Sequence, residues 1–126
     1  MGFSDDLKKI TAKIEAQMTE VARKSIEEVF AEAQKPRDDG GRMPVVSGTL
    51  RGSLSMNGGA TDAESFRAAA QGLVLGDTII GAWTAPYASL IEYGSDRQQG
   101  AHFVGVAAMQ FSEIVERNAR KVRGDG

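Results

Sequence analysis

No cysteine occurs in the 126 residues, which removes disulfides, thiolate nucleophiles and cysteine-ligated metals together and fits assembly in a reducing cytoplasm. There is one histidine, His102, so no histidine pair exists for zinc, and a Ser-His-Asp arrangement would have to use this single ring. No stretch approaches the roughly 18 apolar residues of a membrane span, and the first six residues lack a basic region followed by an apolar run. The expectation is a soluble, unexported chain. An excess of one charge is missing too: 15 Lys and Arg against 17 Asp and Glu give a formal charge of -2, too little to recruit DNA or an anionic membrane by bulk field. What is present is ordinary globular composition, 41% apolar and 25% charged, at a length suited to a single domain spanning residues 1–126 with one hydrophobic core.

Leu7, Ile10, Ile14, Met18, Val21, Ser25, Ile26, Val29, Phe30 and Ala33 recur at helical spacing. They predict a helix over about 5–34, with Ser4 as N-cap, Asp5 and Asp6 at its positive end, and Pro36 beyond its stop. Such a helix is roughly 43 Å long, more than a small domain needs for its own core. Part of its stripe therefore either serves a partner or overhangs as a solvated arm. Residues 35–46, with two prolines and a Gly pair, read as a mobile loop. Asp38 and Asp39 lack the spacing that converges carboxylates on calcium, so they read as solvated charges.

A sheet is expected over about 51–84. Ser47 is a good N-cap for a short turn that leads into a strand ending near Asn57-Gly58-Gly59. The segment Thr61–Gln71 is ambiguous, its alanines favouring helix and its position favouring a strand in the second half. Leu73–Ile80 holds two β-prone runs joined by Gly76-Asp77, the pattern of a tight hairpin. Beyond it Ile79, Gly81 and Trp83 share one face, and Gly81 marks a close approach. Pro86 and Gly94 bracket a short helix, 86–93, carrying Tyr87, Leu90 and Ile91 inwards. The apolar stripe from Val104 to Val122 predicts a closing helix over about 104–123. The fold class is α+β: a long N-terminal helix, an antiparallel meander of about three strands, a short helix and a closing C-terminal helix.

No constellation in the sequence reaches the threshold of an enzyme. His102 stands beside Phe103 at a helix entrance, where a packing or capping role outweighs a general base. The fifteen glycines include no Gly-Lys-Ser or Gly-Lys-Thr phosphate loop. Glu92 and Asp96 have no second carboxylate pair set against them. A hydrolase built on His102 with Ser47 or Ser53 is the weakest reading. No cofactor and no metal are expected.

Three segments in order resemble the siphophage neck and tail-component family, the gene-product-ten-like proteins of the Hong Kong lambdoid phages. Pro44-Val45-Val46-Ser47-Gly48-Thr49-Leu50-Arg51-Gly52-Ser53 looks like that family's Pro followed by Thr/Ser-Gly-x-Leu-Arg-x-Ser, with Val46 in place of its usual Asp. Tyr87-Ala88 followed by Ile91-Glu92-Tyr93-Gly94 is similar to its Tyr-Ala-x-x-x-Glu-aromatic-Gly signature. Ala101-His102-Phe103 stands where members carry a small residue, a polar residue, Pro and Phe before the last helix. The resemblance covers residues 44 to about 122. It implies a non-enzymatic virion structural protein that joins the head connector to the tail tube or caps the tube as a tail completion or terminator ring. The partners it implies are further copies in a ring, usually a hexamer, the tail-tube protein and the head-closure or connector protein, with at most passing contact with packaged DNA and no membrane. The location it implies is the virion, with assembly in the host cytoplasm. A second class stays open: a small cytosolic nucleic-acid-binding module using Lys35, Arg37 and Arg42 with Arg117, Arg120, Lys121 and Arg123. The acidic residues Glu113 and Glu116 among the latter, and the lack of interleaved aromatics, favour a solvated helix end instead.

Overall fold

In a computed structural model, residues 2–44, 48–95 and 98–124 are described. Helix α1 spans Phe3–Gln34, about 48 Å at 1.5 Å per residue. It begins one residue before Ser4, the expected N-cap. Gly2 takes that place, and with no side chain to cap the end it supplies only its carbonyl, which accepts the Asp5 and Asp6 N–H groups. The helix stops where the following Pro36 forces Lys35 into an extended conformation, φ -69° and ψ 121°.

The architecture is α+β. After α1 come the short helix α2 (Thr49–Gly52), strand β1 (Leu54–Met56), helix α3 (Ser65–Gln71), strand β2 (Gly81–Trp83) and helix α4 (Ala88–Tyr93). Two-residue strands β3 (Gly94–Ser95) and β4 (Gln98–Gln99) follow, then helices α5 (Phe103–Met109) and α6 (Phe111–Arg123). β1 and β2 are antiparallel in the register Leu54↔Trp83, Ser55↔Ala82, Met56↔Gly81, and β3 pairs separately with β4. The sheet is thus two strands with a small second ribbon, where a meander of about three strands was expected.

Two expected strands take other forms. The second half of Thr61–Gln71 is helical, since Phe66 and Ala70, four residues apart, both bury against α1 while the alanines between favour helix. Leu73–Ile80 is not a hairpin. The Asp77 carboxylate accepts the Val74 N–H at 2.8 Å and the Asp77 N–H is given to the Val74 carbonyl at 3.0 Å, closing a turn whose arms do not pair. The strand that follows is captured by β1: Asn57 and Ile80 exchange bonds of 2.7 and 2.9 Å just beyond the register.

Segment 35–44, expected to be mobile, is tied down at both ends. Lys35 and Arg37 exchange backbone bonds with Met43, whose side chain is fully buried. The closing helix is broken at Gln110 into α5 and α6, with buried Phe103 and Ala107 on the first and Ile114 and Asn118 on the second.

The core has two clusters. Leu54, Met56 and Phe66 pack with Phe30 and Ile79, and Met43, Leu50, Ala85, Ala101 and Phe103 pack with Ile91. Trp83 belongs to both: its ring lies 6.2 Å from Phe30 and 5.1 Å, edge-on, from Phe103. Its N–H donates to Gln34 Oε1 at 2.8 Å, and Gln34 Nε2 donates to the carbonyls of Arg51 and Ala63, each at 2.9 Å. A buried amide thereby satisfies three segments at once: α2, β2 and the connection before α3.

Gly94 follows α4 at φ 84° and ψ -174°, a region essentially reserved for glycine. Gly94→Val is expected to cost about 2 kcal/mol, while Asp39→Ala, on an exposed turn, should be nearly silent. Thermal melts of the two variants side by side check this, and equal melting temperatures would contradict it.

Candidate assembly surface

The motif residues fall into two groups, one inward and one outward. Leu50, Ser53, Glu92 and Phe103 are buried, and Pro44 and Ala88 are half-buried, Ala88 packing against the core. The Ser53 hydroxyl donates to the Leu50 carbonyl at 2.7 Å, and Gly48, at φ 81°, is the N-cap of α2. Ser47, the expected N-cap, lies outside the described residues, as do Val45, Val46 and Asp96. Arg51 donates to the Gln34 carbonyl at 2.9 Å and sits 3.6 Å from Glu64, fastening α2 to the end of α1.

Glu92 is the most informative of these. Its carboxylate is buried, and its two oxygens accept the N–H groups of Val104 at 3.0 Å and Gly105 at 2.8 Å. Those donors belong to the first turn of α5, which has no cap from its own N-cap residue, His102. A carboxylate there satisfies orphan N–H groups and meets the positive helix end. The backbone adds to the joint: Ala101 N–H donates to the Ile91 carbonyl and His102 N–H to the Glu92 carbonyl. His102 itself is exposed at φ 53°, and among the described residues no hydrogen bond joins its ring to Ser53. The motif residues that the sequence brings together are thus a clamp between α4 and α5.

The outward group lies on α4 and its N-cap. Tyr87, Leu90 and Tyr93 are exposed, at 39, 55 and 76%, where Tyr87 and Leu90 were expected to point inwards. Only Ile91 on this helix joins the core's apolar residues beside Ala88. Six residues provide too few turns to bury both sides against one core.

A second outward surface is larger. The half of α1 from Val21 onwards packs within the domain, but Phe3, Leu7, Ile10, Ile14 and Met18 all stay roughly half exposed or more. They are spaced four, three, four and four apart, so they form one face. Ile14 and Met18 also floor an open apolar groove of about 580 Å³, walled by Val115 and Val122 of α6 and by Val74 and Leu75 of the closed turn.

Several of the remaining charged residues have structural partners. Arg67 donates to Glu64 and Glu27 at 2.8 and 2.7 Å, and these two bonds hold its guanidinium above its ordinary value. Arg117 pairs with Glu28, Arg120 with Glu116, and Arg42 donates to the Ala101 carbonyl at 2.8 Å. Among the described residues no three His, Asp or Glu side chains group as a metal site, and no helix is long and apolar enough to cross a membrane. Two residues that organise the fold gave no signal in the sequence: Gln34, polar and near a helix end, and Asn118, which donates to Ser25 at 3.3 Å between α1 and α6. Comparison with family models, with characterised proteins and with solved structures finds no match to this chain.

Proposed function

We propose that this protein is a structural subunit of a tailed-phage neck, joining the head connector to the tail tube or capping the tube as a completion or terminator ring. The observation that carries the reading is the apolar face of α1 from Phe3 to Met18, exposed and continuous with an apolar groove. Contiguous apolar surface of this kind marks an interaction site. The ordered resemblance of three segments to the neck and tail-component family supplies the class of partner. A ring subunit needs one surface for its lateral neighbour and another for the ring above or below it. The α1 face with its groove and the α4 face of Tyr87, Leu90 and Tyr93 supply two such surfaces on different elements. The nucleic-acid alternative draws less support, because Arg42, Arg117 and Arg120 are engaged within the chain.

Deleting the gene should leave filled heads and tails that fail to join, or tails of irregular length. Cryo-electron microscopy of intact particles should find about six copies around the tube axis, the number the family resemblance implies. Normal infectious particles from the deletion, or absence of the chain from purified virions, overturns this function. Salt-dependent DNA binding by the purified protein would then favour the alternative.

A further inference from the structure

We infer that the first turns of α1 are an arm that docks in the apolar groove of a second copy of this chain, head to tail. The two halves of the contact sit on different parts of one subunit. Phe3, Leu7 and Ile10 extend past the point where α6 ends alongside α1, and among the described residues they stay at least half exposed. Ile14 and Met18, one and two turns further on, belong instead to the groove floor. A subunit therefore donates with residues 3–10 and receives from Ile14 onwards. The same copy does both without conflict.

The shapes agree in period. On the groove wall, Phe111, Val115, Ala119 and Val122 are spaced four, four and three apart, while the arm's Phe3, Leu7 and Ile10 are spaced four and three. Two helical ridges of that period interdigitate, and the small Ala119 leaves room for a close crossing. Charge sets the direction. The arm begins with Asp5 and Asp6, and the C-terminal turn of α6 carries Lys121 and Arg123, Arg123 at the mouth of the groove. Placing the acidic turn against this basic turn runs the arm antiparallel to α6, with the positive end of one helix beside the negative end of the other. The opposite direction would bring Asp5 and Asp6 towards Glu113.

Donor and receiver patches differ, so the contact is heterologous, and repeating it gives a closed ring or an open filament according to the rotation per step. That it closes into a ring rests on the neck reading. The arm-in-groove contact itself does not.

Absence of native cysteine makes the test specific, since Leu7→Cys with Ala119→Cys, the groove-wall residue that this direction sets opposite Leu7, introduces the only two thiols. Within one chain they cannot meet. Ala119 follows Asn118, whose side chain bonds Ser25, and Leu7 lies 18 residues before Ser25 on α1, about 27 Å along the axis, against the roughly 7 Å between Cα atoms that a disulfide tolerates. Oxidation of the double variant at the highest soluble concentration should give a ladder of covalent multimers, and either single variant should not. Adding Ile10→Asp should remove the ladder and weaken association about tenfold or more, with the melting of the dilute monomer unchanged because Ile10 is exposed there. A double variant that stays monomeric overturns the inference. So does efficient dimerisation of Leu7→Cys alone, which would mean that two α1 stripes face each other symmetrically. A ladder from a chain absent from virions would end the neck reading and keep the contact; a chain present in virions without a ladder would do the reverse.

Discussion

Gly81→Val is expected to destabilise the domain by about 3 kcal/mol, lowering its melting temperature by about 10 °C. Gly81 faces the Phe30 ring across the join of β2 and α1. A Cβ built there stands 2.7 Å from Phe30 Cζ and 3.1 Å from the Met56 sulfur. Neither neighbour has an easy escape. Phe30 is stacked 6.4 Å from Phe66 and lies 6.2 Å from Trp83, and Met56 is the register partner of Gly81 itself. Relief requires either moving a ring out of an aromatic row or pulling β2 off β1. The second would carry Trp83 with it, and Trp83 joins both core clusters. Phe30→Ala should partly rescue Gly81→Val. The double variant is expected to be more stable than the sum of the two single losses by about 1 kcal/mol or more. Chemical denaturation of the four proteins in the cycle checks it. Unchanged stability of Gly81→Val, or strict additivity, would show that the close approach is not what requires glycine here.

Glu92→Ala should cost a comparable amount, about 3 kcal/mol, because it strips the acceptor from two N–H groups at once. The carboxylate is the cap that α5 lacks in its own sequence, and Val104 and Gly105 are both partly shielded from water. Removing it leaves orphan donors at the positive end of a helix and opens a void between α4 and α5. Glu92→Gln separates the two contributions. It keeps one acceptor oxygen but turns an NH₂ towards the second N–H, so a loss of about half the alanine effect is expected. Urea unfolding of the monomer is the measurement, since any effect on assembly follows from the loosened α4–α5 joint. A harmless alanine would mean that water replaces the cap, and a glutamine as stable as the wild type would mean that charge contributes nothing.

These two residues mark where sequence reasoning reached and where it stopped. Gly81 was legible because a glycine inside a β-prone run, beside tryptophan, has few reasons to be there other than a close neighbour. Glu92 was visible as part of a family-like motif, but its role was not. Its ligands are backbone N–H groups 12 and 13 residues later, and no side-chain pattern records a backbone donor.

Local chemistry settled several elements unaided. Helical periodicity predicted α1 to within two residues at its start, Pro36 placed its end, and the family-like Gly94 stands at the positive φ that only glycine tolerates. The α+β class followed from the order of such signals. Each is a property of a few neighbouring residues, and so it survives in a string of letters. Where strands choose partners, locality fails. Leu73–Ile80 carries hairpin chemistry, yet Gly81–Trp83 pairs with Leu54–Met56, because the longer-range sheet also buries Trp83 between two clusters while a local hairpin would bury little. The same competition decided the Thr61–Gln71 segment, whose Phe66 gains a place beside Phe30 only as a helix. The division of the α1 stripe was a tertiary decision as well. Its ten apolar-face positions read alike in sequence, and only the placement of α3, α5 and α6 over the later turns leaves Phe3 to Met18 exposed.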